Sequence, residues 1–244
     1  MSGIMMASMS NKISSTFISA GALLYVDAGN TASYPGSGST WTDLSVKTNN
    51  ATLTNSPAFT SAGSASYFSF NGSNQSAPIT SSKMGGVTYT GKTTMFSIRT
   101  VSANTNDATY RSLFGSSAIV RNFNTYLYHV SVDQWRLSFS TGPNQATWAS
   151  SRSIPFTVTD NQWMVVAVTQ TLAGVVTYYV NGLQIGTPFT GETFIQYAEP
   201  PDTAIAAADT YWNGDMGVCA VYGRALSNGE IAQNFNVLRS RYSI

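Results

Sequence analysis

The reactions open to this chain are limited by how few reactive side chains it carries. Its 244 residues hold 11 acidic groups, one histidine and one cysteine. Three of the acids are glutamates: Glu192, Glu199 and Glu230. Hydrolysis of a glycosidic bond needs two carboxyl groups about 5–9.5 Å apart, one of them with a raised pKa. On a strand such a pair stands at i and i+2 or i+4, where side chains share a face. No glutamate has an acidic neighbour at that spacing, and Glu230 falls in a helix cap. His129, in TYLYHVSV, has apolar neighbours and no Ser or Cys partner at a motif spacing, so a structural histidine is expected rather than a nucleophile system. Cys219 lies among valines, the setting of a packed, inert thiol, and being single it forms no internal disulfide. Asp27, Asp43, Asp107, Asp133, Asp160, Asp202, Asp209 and Asp215 are scattered singly. Calcium wants several oxygens converging from loops, so it is not favoured. No catalytic residue, cofactor or metal ligand is expected.

Binding remains. Aromatic rings on loops can stack on sugar rings. Trp148, Tyr197, Tyr211 and Trp212 lie in polar, loop-like segments and are the candidate glycan-binding residues. Only 9% of residues are charged and the formal net charge is +1, with no basic run, so nucleic acid is not an expected partner. Arg224, Arg239 and Arg241 gather around the C-terminal helix and read as helix-end charges facing water. A charge content so far below the roughly 25% of ordinary soluble domains suits a surface set against other protein. No stretch approaches the ~18 apolar residues of a membrane span. The N-terminus has no positive leading segment, since Lys12 follows its Met-rich part, and no secretion signal is read there.

The elements that must carry these groups are strands. Residues 22–27 (ALLYVD), 94–101, 111–115, 118–123, 126–132, 134–139, 163–170, 175–180, 183–185 and 216–222 read as strands separated by Gly, Asn and Pro turns. Asn181–Gly182 between two β-rich runs predicts a tight hairpin, because both turn residues need positive φ. Many short strands without alternating helices predict an all-β sandwich. One helix closes the chain. Ser227 with Glu230 forms a capping box, and Ile231, Phe235 and Leu238 fall on one stripe.

Taken in order, YVDAGNTASYPGSGSTWTDLS, FNGSNQS at 70–76, NQWMVVAVTQ, YYVNGLQIGT and MGVCAVYGRALSNGEI resemble the laminin-G-like branch of the concanavalin A-like lectin/glucanase fold, across roughly residues 23–242. The strand-to-helix ending VYGRALSNGEI is the most specific piece. The resemblance implies a two-sheet antiparallel jelly-roll sandwich that binds glycans or proteins, sometimes with calcium, and it places Trp41 and Trp163 in the core. Val46, Lys47 and Thr48 stand where the family usually has a Gly/Asn-rich turn, and Gln75 stands where an acid is usual; both changes argue against calcium. The glucanases of this fold carry a clustered acidic run that is missing here, so no enzyme is expected.

The first block resembles versions found in phage and large-virus proteins. With the low charge and the reading of no signal, it leads to the expectation of a virion structural protein on a capsid, tail or fibre, made in the host cytoplasm and contacting other subunits or surface glycans. A free lectin-like module is the alternative, and a degenerate glucanase the second. Residues 1–16 are read as an N-terminal arm, with Met5, Met6, Met9 and Ile13 as adaptable assembly contacts, and residues 17–244 as the jelly-roll domain.

Overall fold

The computed structural model describes residues 16–79, 84, 88–101, 110–116, 121–131, 133–142, 153–192, 194 and 203–244. The strands in chain order begin with β1 (Ala22–Asp27), β2 (Thr40–Trp41), β3 (Ala51–Thr52), β4 (Ala58–Thr60), β5 (Tyr67–Asn71) and β6 (Ala77–Pro78). Then come β7 (Gly91–Thr100), β8 (Tyr110–Gly115), β9 (Arg121–Ser131), β10 (Gln134–Gly142) and β11 (Ser153–Thr157). The last are β12 (Trp163–Thr171), β13 (Val176–Val180), β14 (Leu183–Phe189), β15 (Ala204–Ile205) and β16 (Asn213–Tyr222), followed by helix α1 (Asn228–Tyr242).

Two antiparallel sheets face each other. The larger runs β14–β13–β12–β7–β16–β5–β4, with β1 also on β16; the smaller runs β11–β10–β9–β8–β15–β6. Strands β2 and β3 form a separate ribbon. The main core fills the space between the sheets, and a second cluster lies between the larger sheet and α1. The larger sheet is therefore covered on both faces, which explains the nearly unbroken apolar run of β12. Met164, Val166 and Val168 enter the main core while Val165 and Ala167 meet the helix side. Strand β9 runs unbroken from Arg121 to Ser131, where the sequence suggests two strands, 118–123 and 126–132.

Strand β16 needs one irregularity. Met216, Cys219 and Val221 face the main core, whereas Val218, Ala220 and Tyr222 face the helix. That pattern breaks the period of two between Met216 and Val218, and the pairing with β7 slips at the same place. The inserted residue is Gly217, a β-bulge. On its other edge β16 pairs with β5 before the bulge and with β1 after it. The Gly217 carbonyl accepts the N–H of Ala28 at 2.8 Å. A Cβ on Gly217 would collide with the Tyr242 hydroxyl, so only glycine lets the helix end settle there.

The helix is tied down by charge and by caps. The Ser227 side chain accepts the Glu230 N–H, and the Glu230 carboxylate accepts the Ser227 N–H, completing the predicted box. Arg224 also grips Glu230 with two bonds of 2.8 and 2.9 Å. These donors, the Arg224 bonds first, hold the Glu230 carboxyl down at about 2. Arg241, expected to face water, instead lies largely buried and forks onto both oxygens of Asp27 at 2.6 and 2.8 Å. Its Nε donates to the Ser64 carbonyl. A carboxylate left at the end of a buried strand needs such a partner, which is why the arginine turns inward. Arg224 is likewise paired, and Arg239 alone of the three is exposed. The Asn181–Gly182 turn has φ of 50° and 76°, as the hairpin requires, and Gly182 packs under the Phe235 ring. At the start of the described chain, Gln233 donates to the Thr16 carbonyl, Phe17 stacks on Tyr25 at 4.6 Å, and Tyr222 donates to the Ile18 carbonyl. Met5, Met6, Met9 and Ile13 lie outside the described residues.

Two outcomes are expected. Gly217→Ala should destabilise the fold by about 1–3 kcal/mol, the range for overpacking, and Tyr242→Phe should recover part of that loss; an unchanged Tm for Gly217→Ala would contradict the bulge. Because the folded pKa of Glu230 lies below the unfolded value, its contribution is complete above about pH 4.5 and is lost as pH falls toward about 2. Urea titrations should find the wild type ahead of Glu230→Gln by about 1 kcal/mol at pH 7, the scale of a cap and a partly exposed ion pair, and the gap should close by pH 2.

Candidate functional site

One face of the smaller sheet meets the main core; on its other face Ser112, Asn124 and Tyr126 are buried as well, whereas Tyr110, Tyr128 and Arg136 are half-buried. On β9, Phe123 and Leu127 point inward, so Asn124, Tyr126 and Tyr128 stand on the outer face. On β10, Trp135, Leu137 and Phe139 point inward and Arg136 and Ser138 outward. Strand register then lines residues up across the sheet. One row is Pro155, Arg136, Tyr128 and Tyr110, from β11 to β8; the next is Ser153, Ser138, Tyr126 and Ser112.

Hydrogen bonds fix these groups in place. The Tyr126 hydroxyl donates to Asp209 Oδ2 at 2.9 Å and accepts from Asn124 Nδ2 at 2.7 Å. Asn124 in turn exchanges bonds with the Ser116 backbone. Ser112 and Thr210 exchange bonds between each backbone N–H and the other's hydroxyl. These contacts fasten the Ala208–Trp212 segment to the sheet. The rings of Tyr110 and Tyr128 lie 4.8 Å apart, and Tyr110 meets Tyr126 edge-on at 6.2 Å. Arg136 is held by the side chain and carbonyl of Ser153. Beside the first row, a depression of about 390 Å³ is lined by Val130, Gln134, Arg136, Pro155 and Thr157 among others. Val130 is 44% exposed there. The half-buried part of the face offers the Tyr110 and Tyr128 rings and the Arg136 cation in a fixed array, which suits recognition of a polyhydroxylated ligand.

The sequence candidates are divided by the fold. Tyr211 is exposed and bridges to Ala207 at the edge of this region. Trp212 is not a loop platform: it is fully buried in the main core, because the segment turns back on Ala206 and drives the indole inward. Trp148 and Tyr197 lie outside the described residues, as do Glu199 and Asp107. Trp163, expected in the core, is only half-buried on the helix side, whereas Trp41 is fully buried. Tyr110, Tyr126 and Tyr128 were the residues not singled out; the i, i+2 spacing of Tyr126 and Tyr128 on an alternating strand was the available signal.

The remaining reactive groups have structural surroundings. His129 is buried against the Trp135 ring, 4.0 Å from Asp160, and Trp135 Nε1 donates to the same carboxylate. Cys219 is buried, and desolvation pushes its thiol well up, away from the reactive thiolate. Among the described residues no three His, Cys, Asp or Glu side chains gather as a metal site would need, and protein donors fill Asp43 and Asp27. Asp43 accepts from the N–H groups of Tyr25, Ser45 and Asn49 and from the Ser45 hydroxyl. Asp27 is filled by Arg241, the Gly29 N–H and the Tyr25 hydroxyl.

Comparison with curated proteins gives no significant match. Among solved structures, domain 4 of the extracellular GH43 arabinanase AbnA from Geobacillus stearothermophilus, in complex with arabinotriose, aligns with a TM-score of 0.60 at 14% identity, over 87% of this chain and 97% of that one. The ligand-binding domain of botulinum neurotoxin serotype D, in complex with N-acetylneuraminic acid, aligns at 0.64 and 13% identity, over 90% of this chain and 51% of that one. The Trypanosoma rangeli sialidase, in complex with sialic acid, aligns at 0.61 and 17% identity, over 94% of this chain and 35% of that one. The chain thus spans about half of the neurotoxin domain and about a third of the sialidase. At these identities the likeness shows the fold alone. The sequence match to the concanavalin A-like lectin/glucanases superfamily covers residues 71–232, from the end of β5 into the closing helix. With the two-sheet sandwich and the capped helix in place, this chain belongs to that superfamily, in its laminin-G-like branch.

Proposed function

We propose that the chain is a non-catalytic glycan-binding domain and that the outer face of the smaller sheet is its binding surface. The observation that carries this is the row Arg136, Tyr128 and Tyr110, set side by side by strand register and bordered by the Tyr126–Asp209 bond. The rings can take the apolar face of a sugar while the arginine and the neighbouring hydroxyls meet its oxygens. Similar folds in complex with arabinotriose and with N-acetylneuraminic acid support the ligand class. The absence of catalysis is supported by how the carboxylates are used: Glu230 in the cap, Asp27 and Asp215 in ion pairs, and Asp43 in four hydrogen bonds.

The finer reading is that this domain is displayed on a virion, in a capsid, tail or fibre, with residues 1–16 as the assembly arm. The low charge content supports it, since a surface with few charges tolerates close packing against neighbouring subunits.

Each part has its measurement. On a glycan array, the wild type should bind a defined set of saccharides, and Tyr110→Ala with Tyr128→Ala should weaken that binding at least tenfold, about 1.4 kcal/mol, while Tm changes little. Unchanged binding would remove the tyrosine face from the function. For the virion reading, the chain should co-purify with particles in stoichiometric amounts, and deletion of residues 2–15 should abolish incorporation without lowering Tm; a chain found only free of particles would refute it.

A further inference from the structure

The opposite side of the molecule carries a second arrangement. Helix α1 covers only part of the larger sheet's outer face. Beyond the Tyr242 end of the helix, strand register forms another row: Trp163 on β12, Arg99 on β7, Asp215 on β16 and Ser69 on β5. Tyr67 stands two residues before Ser69, on the same face. Trp163 and Tyr67 are half-buried, and the Arg99 side chain keeps 32% of its surface exposed.

The guanidinium of Arg99 is immobilised. Its Nε donates to Asp215 Oδ2 at 2.7 Å, its Nη2 forms an ion pair with the same oxygen at 2.6 Å, and Nη2 donates to the Tyr67 hydroxyl at 3.0 Å. The Ser69 hydroxyl donates to the other Asp215 oxygen at 2.5 Å. The cation sits 5.1 Å from the centre of the Tyr67 ring and 5.4 Å from that of Trp163, and the two rings meet nearly edge-on at 5.3 Å. Trp163 is steadied in turn by stacking on Tyr242 at 4.3 Å. Nη1 of Arg99 has no partner among the described residues. The result is a rigid notch with two aromatic rings, an open guanidinium nitrogen and a phenol oxygen.

From this geometry we propose that the Tyr67–Arg99–Trp163 notch is a second saccharide-binding site, for a neutral sugar, on the face opposite the tyrosine row. The buried Asp215 cancels the charge of Arg99, so an anionic ligand gains little here, whereas a hydroxyl can accept from Nη1 and donate to the Tyr67 oxygen. A small ligand fits better than a protein. A stable protein contact buries about 800 Å² per partner around an apolar centre. The exposed large apolar residues of the described chain, Val46, Val130, Leu172, Leu183 and Tyr211, are not part of this row or its aromatic border. The site stands independently of the tyrosine face, and two sites on opposite faces let one domain bridge two glycan chains.

Native affinity electrophoresis in gels containing arabinan, xylan, mixed-linkage β-glucan or mannan separates the two sites. The Tyr110→Ala/Tyr128→Ala variant should still be retarded by at least one of these polymers, and adding Tyr67→Ala should cut that retardation at least tenfold. Arg99→Lys, which keeps the charge but loses the fork and Nη1, should do the same, covering the case in which Tyr67→Ala lowers Tm. Loss of all retardation in the tyrosine-face variant, by every one of the four polymers that retards the wild type, overturns the second site and leaves the first untouched. Retardation removed by Tyr67→Ala alone in the wild type leaves the second site standing and removes the first. Concentration-dependent dimerisation abolished by Tyr67→Ala, without polysaccharide retardation, would assign the notch to a protein contact and overturn the proposal.

Discussion

The fold depends on one constraint: the larger sheet is buried on both faces. Strands β7, β12 and β16 have the main core on one side and helix α1 on the other, so they offer little room for a polar side chain without a partner. The few charges at the margins of this sheet are accordingly paired. Asp27 is gripped by Arg241 and Asp215 by Arg99, with carboxylate side chains only 5% exposed in both cases. Removing one member of such a pair would leave an uncompensated buried charge, which costs far more than the pair itself contributes. The Asp27–Arg241 fork also joins the first strand to the last turn of the helix, so the two ends of the domain are held by one interaction.

The two proposed binding surfaces follow from how the sheets are covered. A sheet covered twice has no face left for a ligand except past the end of its cover. The smaller sheet, whose outer face is only partly covered among the described residues, can use its half-buried alternating positions for other purposes. Tyr110, Tyr128 and Arg136 occupy them, with the buried Tyr126 beside them. The Trp163–Arg99 row follows the same logic, since it lies where the helix stops.

Features governed by local rules were legible from the residues. ALLYVD is a strand with the expected ends, Asn181–Gly182 is the hairpin turn, and Ser227 with Glu230 forms the cap. Features set by distant contacts were not. Trp212 looks like a loop residue among Thr210, Asn213 and Gly214, and only the return of its segment to Ala206 buries it. Arg241 looks like a solvated helix end until Asp27 is brought beneath it, across a separation of 214 residues. The tyrosine face needed the β8–β9 register, which no local pattern supplies. Thr48 is a middle case. Its position is one where Gly or Asn is usual, and it does adopt a left-handed φ of 55°, a strained choice for a β-branched residue. The turn's geometry was kept while its customary residue was not.

Thr16, Phe17 and Ile18 dock against α1, β1 and β16. Thr16 and the C-terminal Ile244, bonded to the Arg239 carbonyl, both belong to the helix layer. The layers run helix, larger sheet, smaller sheet, so the tyrosine row lies on the side of the sandwich opposite Thr16 and Ile244. The aromatic row and the helix layer that holds Thr16 and Ile244 are thus separated by the full thickness of the sandwich, so contacts made at one of these faces leave the other unobstructed.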